Sequence, residues 1–200
     1  MSTNDRRARL LEAAIDMIAT KGIRALTHRA LDTELGLPAG SASYYFRTRR
    51  ALLAGIADHI TERSRADFTA AELTTPTSAA AGTEIPAPEL IARHIAVWVD
   101  RLLAERGNHL IARHALLVEL RTDLELRARL AHSLFSLDRA RELFRAMDRT
   151  DPETAATDFV AVLEGAVFDR CTGNRASLAP GSAASIDQLT NLLSVYLHAQ

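Results

Sequence analysis

Cysteine is almost missing from this chain. Cys171 stands alone among 200 residues, so no intrachain disulfide and no cysteine-based zinc site can form, which suits a reducing compartment. Long apolar runs are missing too: none approaches the ~18 residues needed to span a bilayer. The N-terminal Met-Ser-Thr-Asn-Asp-Arg-Arg lacks the apolar core of a signal peptide, so a cytoplasmic location without membrane association is expected. Lysine is reduced to Lys21 among 24 basic residues, a bias better explained by the base composition of the coding genome than by a demand for guanidinium chemistry. Strand-like alternation is nearly absent, and no internal repeat is visible. The catalytic and cofactor signatures fail as well: there is no Gly-x-Ser-x-Gly elbow, no P-loop and no dinucleotide fingerprint. Cys171 has only Arg170 and Asp169 beside it. The expectation is a protein that is not an enzyme and carries no cofactor.

What remains is a globular composition, 48% hydrophobic and 24% charged, which excludes disorder, collagen and a disulfide scaffold. The formal charge of −1 hides an asymmetry. Met1 to Arg65 holds 11 basic against 7 acidic residues, a net of +4, and Ala66 to Gln200 holds 13 against 18, a net of −5. A basic head on an acidic body fits a small polyanion-binding module joined to a domain with another task.

Apolar residues recur at helical spacing along most of the chain, as in Leu11, Ala14, Ile15, Ile18 and in Ile91, Ile95, Trp98, Leu102. The pattern predicts an all-α protein of about nine helices. Gly22 closes the first helix, Thr74 to Pro88 reads as a loop, and Gly107-Asn108 reads as a break after the Trp98 helix. Thr150-Asp151-Pro152-Glu153 opens another helix, because proline in the first turn lacks only an N–H that has no partner there. Gly173 to Ser185 is the last loop. The alternating charges from Arg121 to Arg129 read as a solvated, salt-bridged face.

Residues 27 to 46 carry the sharpest signal. Two short helices, about Thr27 to Leu35 and Ala39 to Tyr45, flank a turn at Gly36, the arrangement of a helix-turn-helix. Leu31, Leu35 and Leu37 are placed to pack against Leu11, Ile15 and Ile18. The second helix opens on small residues, Ala39, Gly40, Ser41, Ala42 and Ser43, which lets its N-terminus approach base edges and phosphates. Tyr44 and Tyr45 add amphipathic rings, and Arg29, Arg47, Arg49 and Arg50 suit phosphate contacts.

With its flanking helices, this segment resembles the DNA-binding domain of the TetR family of bacterial transcriptional regulators. The resemblance rests on Thr27, Leu31, Leu35 with Gly36 and Leu37, Gly40, Tyr44 to Phe46, Arg49 and Leu52. The sequence departs from the family pattern at Ser43 (usually Tyr), Tyr45 (usually His), Arg49 (usually Lys) and Asp32 (usually Ala). The resemblance implies that Thr27 contacts phosphate, that Tyr45 and Arg49 grip the DNA backbone, that Ser41, Ser43 and Tyr44 face bases, and that Phe46 and Leu52 are core. It further implies domains of residues 1–50 and 51–200, with a long linking helix at about 50–73. The second domain would bind a small-molecule effector and dimerise through its last two long helices. The implied activity is that of a ligand-responsive repressor binding a palindromic operator in double-stranded DNA as a homodimer.

Within the acidic body, His94, Trp98, Arg113, His114 and Leu117 are the candidate ligand pocket, as polar groups among apolar ones. Phe159, Leu163, Ala166, Leu189, Leu193 and Tyr196 are the candidate dimer seam. His109 and His114, five apart, fall on different sides of a helix, so they do not make a metal pair and no metal is expected. The competing reading is a helical small-molecule-binding or interaction module with a vestigial helix-turn-helix.

Overall fold

The computed structural model describes residues 3–74 and 86–198; most of the expected loop from Thr74 to Pro88 lies outside the described residues. Among these there are nine α-helices and one 3-10 turn, with no strand. They are α1 Thr3–Lys21, the 3-10 turn Ile23–Ala25, α2 His28–Glu34, α3 Ser41–Tyr45 and α4 Arg49–Thr74, then α5 Pro88–Glu119, α6 Leu124–Ala131, α7 Leu137–Ala146, α8 Pro152–Thr172 and α9 Ala183–His198. The all-α expectation holds. The break expected at Gly107-Asn108 falls one residue earlier, at Arg106, whose backbone leaves helical geometry (φ −127°, ψ 19°) and parts α5 into two helical stretches. Gly107, next to it, is a poor helix former, which fits an interruption at this place.

By their contacts the residues form two compact units. The first comprises Met1–Ala66 and Asn108–Leu134, the second Asp67–Gly107 and Phe135–Gln200. A single cut near residue 50 does not describe this division, since α4 and α5 each supply residues to both units.

In the first unit the apolar stripe of α1 (Leu10, Leu11, Ala14, Ile15, Ile18) packs with Leu26, Leu31, Phe46, Leu52, Ile56 and Ile60. Leu116, Leu120, Leu126 and Leu130 complete the core. Leu126 and Leu130 put one face of the 121–129 charge run inside, while Arg129 pairs with Asp58 at 3.0 Å on the other. A polar cluster lies at its edge: the Glu12 carboxylate meets His59 Nε2 at 2.7 Å and His109 Nε2 at 3.2 Å. Partial burial pushes the Glu12 carboxyl up, but the His59 hydrogen bond and the charges of His109, His59 and Arg63 together hold it below its ordinary value.

In the second unit Phe144 meets Phe159 and Tyr196 edge-on, and Phe159 and Tyr196 pack tilted, with centroid separations of 5.5–6.2 Å. The Tyr196 hydroxyl donates to the Ala155 carbonyl at 2.9 Å. Asp151 caps α8 by accepting from the Thr154 N–H at 3.1 Å, with Pro152 in the first turn, as its sequence predicts. The buried Asp100 accepts from the Gly181 N–H at 2.8 Å and from the Ser185 hydroxyl, pinning the start of α9.

Candidate functional site

The α2–turn–α3 segment is built by local rules. Thr27 caps α2 by accepting from the Ala30 N–H at 3.0 Å, and its hydroxyl hydrogen remains available to an acceptor outside. Gly36 (φ 62°) and Gly40 (φ 93°) take left-handed backbone, which a side chain resists, and so turn the chain into α3. A helix of five residues is too short to hold itself. It is held by Asp32, only 3% exposed, whose Oδ2 accepts from the Gly40 N–H at 2.8 Å and Oδ1 from the Ala42 N–H at 2.7 Å. The carboxylate thus meets unpaired donors at the positive end of α3. In the sequence Asp32 is a departure from the family pattern; in the structure it joins the two helices.

With Ala42 fully buried, the rest of α3 is aimed outward. Ser43 is exposed and Tyr44 is 77% exposed, its ring edge-on to Tyr45 at 5.2 Å. Tyr45 is half-buried against the core, and Ser41 donates to the Pro38 carbonyl at 2.6 Å. Arg6 joins Ala39, Gly40, Ser41, Tyr44 and Tyr45 around one surface cleft, a contribution from α1 that the short motif does not reveal.

The arginines divide into two kinds. Arg29 and Arg47 are exposed, and neither is held in an ion pair among the described residues. Arg49 is engaged inside the protein: its guanidinium donates to the Leu26 carbonyl at 2.8 Å, the Ile23 carbonyl at 3.4 Å and Glu119 at 3.2 Å. Arg50 pairs with Asp123 at 2.8 Å. These two tie down the chain around the helix pair.

A cavity of about 180 Å³ lies in the second unit, walled by Phe68, Ile95, Trp98, Phe135, Leu143, Phe159, Val160 and Leu163, with Ser136 and Arg139 as its polar lining. Trp98 meets Phe68 and Phe135 edge-on at 5.8 and 5.7 Å. Its indole N–H is buried and finds no acceptor among the described residues. Of the five expected pocket residues, only Trp98 lines this cavity. His94 is exposed. Arg113, His114 and Leu117 belong to the first unit, where Arg113, 1% exposed, donates to the carbonyls of Leu130 at 3.2 Å and Ala131 at 3.0 Å and to Ser133 Oγ at 3.3 Å. The polar interruption in α5 is therefore a cap on the negative end of α6. Its sequence signal, a charged residue among apolar ones, is the same for either role.

The expected dimer residues also sit differently. Phe159, Leu163, Ala166, Leu189 and Leu193 are each at most 8% exposed within their own chain, because the wide apolar stripe of each helix faces its intrachain neighbours. The outward apolar positions on α8 and α9 are Phe168, Leu192 and Val195. Cys171 is partly buried, and desolvation pushes its thiol up to about 11, which leaves it protonated and unreactive at neutral pH.

Residues 10–56 match the model of the tetR family of bacterial regulatory proteins, and residues 86–194 match that of the tetracyclin repressor-like C-terminal domain. No curated protein matches the chain. Among solved structures, a transcriptional regulator from Rhodococcus sp. Rha1 is similar at 16% identity, with a TM-score of 0.71 over 96% of this chain and 94% of that one. A TetR-family member from Streptomyces coelicolor A3 is similar at 25% identity, with a TM-score of 0.65 over 94% and 97%. The multidrug binding protein EbrR, solved with imidazole, is similar at 24% identity, with a TM-score of 0.60 over 94% of each chain. Among the described residues no helix is long and apolar enough to cross a membrane.

Proposed function

Since the chain belongs to the TetR family of bacterial transcriptional regulators, we propose that it acts in the cytoplasm as a homodimeric repressor whose affinity for a palindromic operator falls when a small molecule occupies the cavity of the second unit. The observation that carries this reading is α3: a five-residue helix anchored by Asp32 from behind, with Ser43 and Tyr44 outward and Arg29 and Arg47 exposed nearby. That arrangement separates the two tasks of a DNA reader. Arginines contact phosphates wherever they lie, and outward side chains at the start of a helix reach base edges. A dimer places two such helices ~34 Å apart, about one turn of DNA, which one head alone cannot do. Arg49 contributes through the loop it holds, and Thr27 through the hydroxyl hydrogen left by its capping bond.

Titration of the protein against DNA flanking its own gene tests the reading: binding no tighter than to random DNA would refute it. Arg47→Ala is expected to weaken binding to cognate and random DNA alike, by about tenfold, and to lower the salt slope by about 1. Tyr44→Ala is expected to weaken cognate binding selectively, by about 1–3 kcal/mol. Equal losses on both DNAs from both variants would remove this division of labour.

For the effector, the cavity favours a compact aromatic molecule. Its size is comparable to the roughly 150 Å³ apolar cavity that admits a benzene ring. The buried Trp98 N–H lacks an acceptor among the described residues, a deficit of about 1–3 kcal/mol that a ligand carbonyl or ring nitrogen would relieve. Trp98 is the single tryptophan, so its fluorescence reports on this cavity alone. Titration with single-ring aromatic compounds bearing an acceptor is expected to quench it saturably. The cavity-filling Val160→Phe is expected to abolish the quench; an unchanged titration in that variant would place the ligand elsewhere.

A further inference from the structure

Glu12, His59 and His109 come from three helices, α1, α4 and α5, and are separated in sequence by 47 and 50 positions, so no local spacing announces them. All three belong to the first unit. Their donor atoms, one carboxylate oxygen and two imidazole nitrogens, lie within 4.8 Å of one another. The two rings are tilted by 31° with centroids 6.5 Å apart, and each presents Nε2 to a different oxygen of the same carboxylate. We infer that these three side chains form a site for a borderline divalent transition-metal ion such as zinc, nickel or cobalt.

The chemistry of the donors selects the ion. Calcium and magnesium take oxygen ligands almost exclusively, whereas two imidazoles with one carboxylate suit zinc and its neighbours. Ligands at about 2.1 Å from a tetrahedral ion stand roughly 3.4 Å from each other, so the observed separations need only small side-chain adjustments to admit one. His59 Nε2 is hydrogen-bonded to one Glu12 oxygen at 2.7 Å, and His109 Nε2 lies 3.2 Å from the other. On binding, each ring presents the Nε2 lone pair to the metal and carries its proton on Nδ1, so a neutral imidazole remains neutral. The rings are mostly sheltered, with 20% and 16% of the His59 and His109 side chains exposed, while Glu12 at 47% leaves a path from solvent. Three protein ligands leave a fourth position for water. The surrounding charge is mixed. Asp16, one turn along α1 and accepting from Asn108 at 2.8 Å, favours a cation, and Arg63 opposes it.

An occupied site would bind α1 to α4 and to the part of α5 beyond its kink, acting within the DNA-binding unit and not through the aromatic cavity. The site does not depend on the operator or effector reading, and its test uses neither.

Full-length protein, stripped with a chelator, is titrated with zinc chloride by calorimetry and with cobalt chloride by visible absorption. One ion per chain is expected, with an intense cobalt band of low coordination number. Glu12→Gln, His59→Gln and His109→Gln should each weaken zinc at least tenfold. The exposed His94→Gln should leave it unchanged. Each variant's thermal melt is taken without metal, and cobalt spectra of the wild-type protein report the ligand set even if one variant does not fold. No saturable binding, or binding that the variants retain, overturns the proposal.

Discussion

Replacing Asp32 with alanine is expected to lower the stability of the first unit by about 2–4 kcal/mol, from the loss of two charge-assisted hydrogen bonds and of a carboxylate at a helix N-terminus. The same change should reduce operator binding by more than a hundredfold in protein that remains folded. The two effects have one origin. Asp32 is buried and reaches the Gly40 and Ala42 N–H groups, and α3 has only five residues, too few for its own hydrogen bonds to hold it in place. Without the carboxylate the outward direction of Ser43 and Tyr44 is no longer fixed. Asp32→Asn keeps one acceptor but faces the other backbone N–H with an amide donor, so it should fall between wild type and alanine, at about 1–3 kcal/mol. Thermal melts and operator titrations at fixed salt are the measurements. A melting temperature within about 1 °C of wild type, or full operator affinity, for the alanine variant would exclude this role.

The second large effect is expected at the outward face of the last two long helices. Phe168 is 53% exposed, Val195 70% and Leu192 38%. Ala161 and Gly165 lie seven and three residues before Phe168 and are exposed on the same helical face, and a side chain added at Gly165 would meet nothing within 4 Å. Small residues beside a projecting ring permit close approach of a second copy. A charge buried there without a partner is costly, so Phe168→Arg should convert the proposed dimer to monomer at micromolar concentration, read by light scattering after size exclusion. Operator affinity should fall by about 10²–10⁴, the gain that joining two weak heads provides. Leu163→Ala, by contrast, should lower stability by about 2–5 kcal/mol, since Leu163 is buried in its own chain. Dimers that persist in both Phe168→Arg and Val195→Arg would place the interface on another face.

Several features are legible because they depend on neighbours in the chain. The helical period at Leu11, Ala14, Ile15 and Ile18 predicts α1 and its buried face. Asp151 with Pro152 predicts the start of α8. The turn at Gly36 and the small residues at 39–43 predict α2 and α3 to within two residues, since capping and left-handed turns are decided within a few positions. The exposed Ser43, Tyr44, Arg29 and Arg47 follow from the same local pattern.

Other features are long-range and carry no local mark. Arg113 reads as a polar group in an apolar helix whether it meets a ligand or, as it does, the end of α6. Phe159 and Leu163 read as apolar whether they face their own chain or a second copy.

By itself, then, the sequence determined the all-α class, the helix-turn-helix, and the division into a basic head and an acidic body, because helical period, turn chemistry and charge are properties of adjacent residues. Tertiary structure alone decided that Asp32 holds α3, that Trp98 meets Phe68 and Phe135 around a cavity, and that Glu12 meets His59 and His109. Those contacts join positions 8 to 97 residues apart. Which distant side chains meet is settled by the packing of whole helices, which no short stretch of sequence encodes.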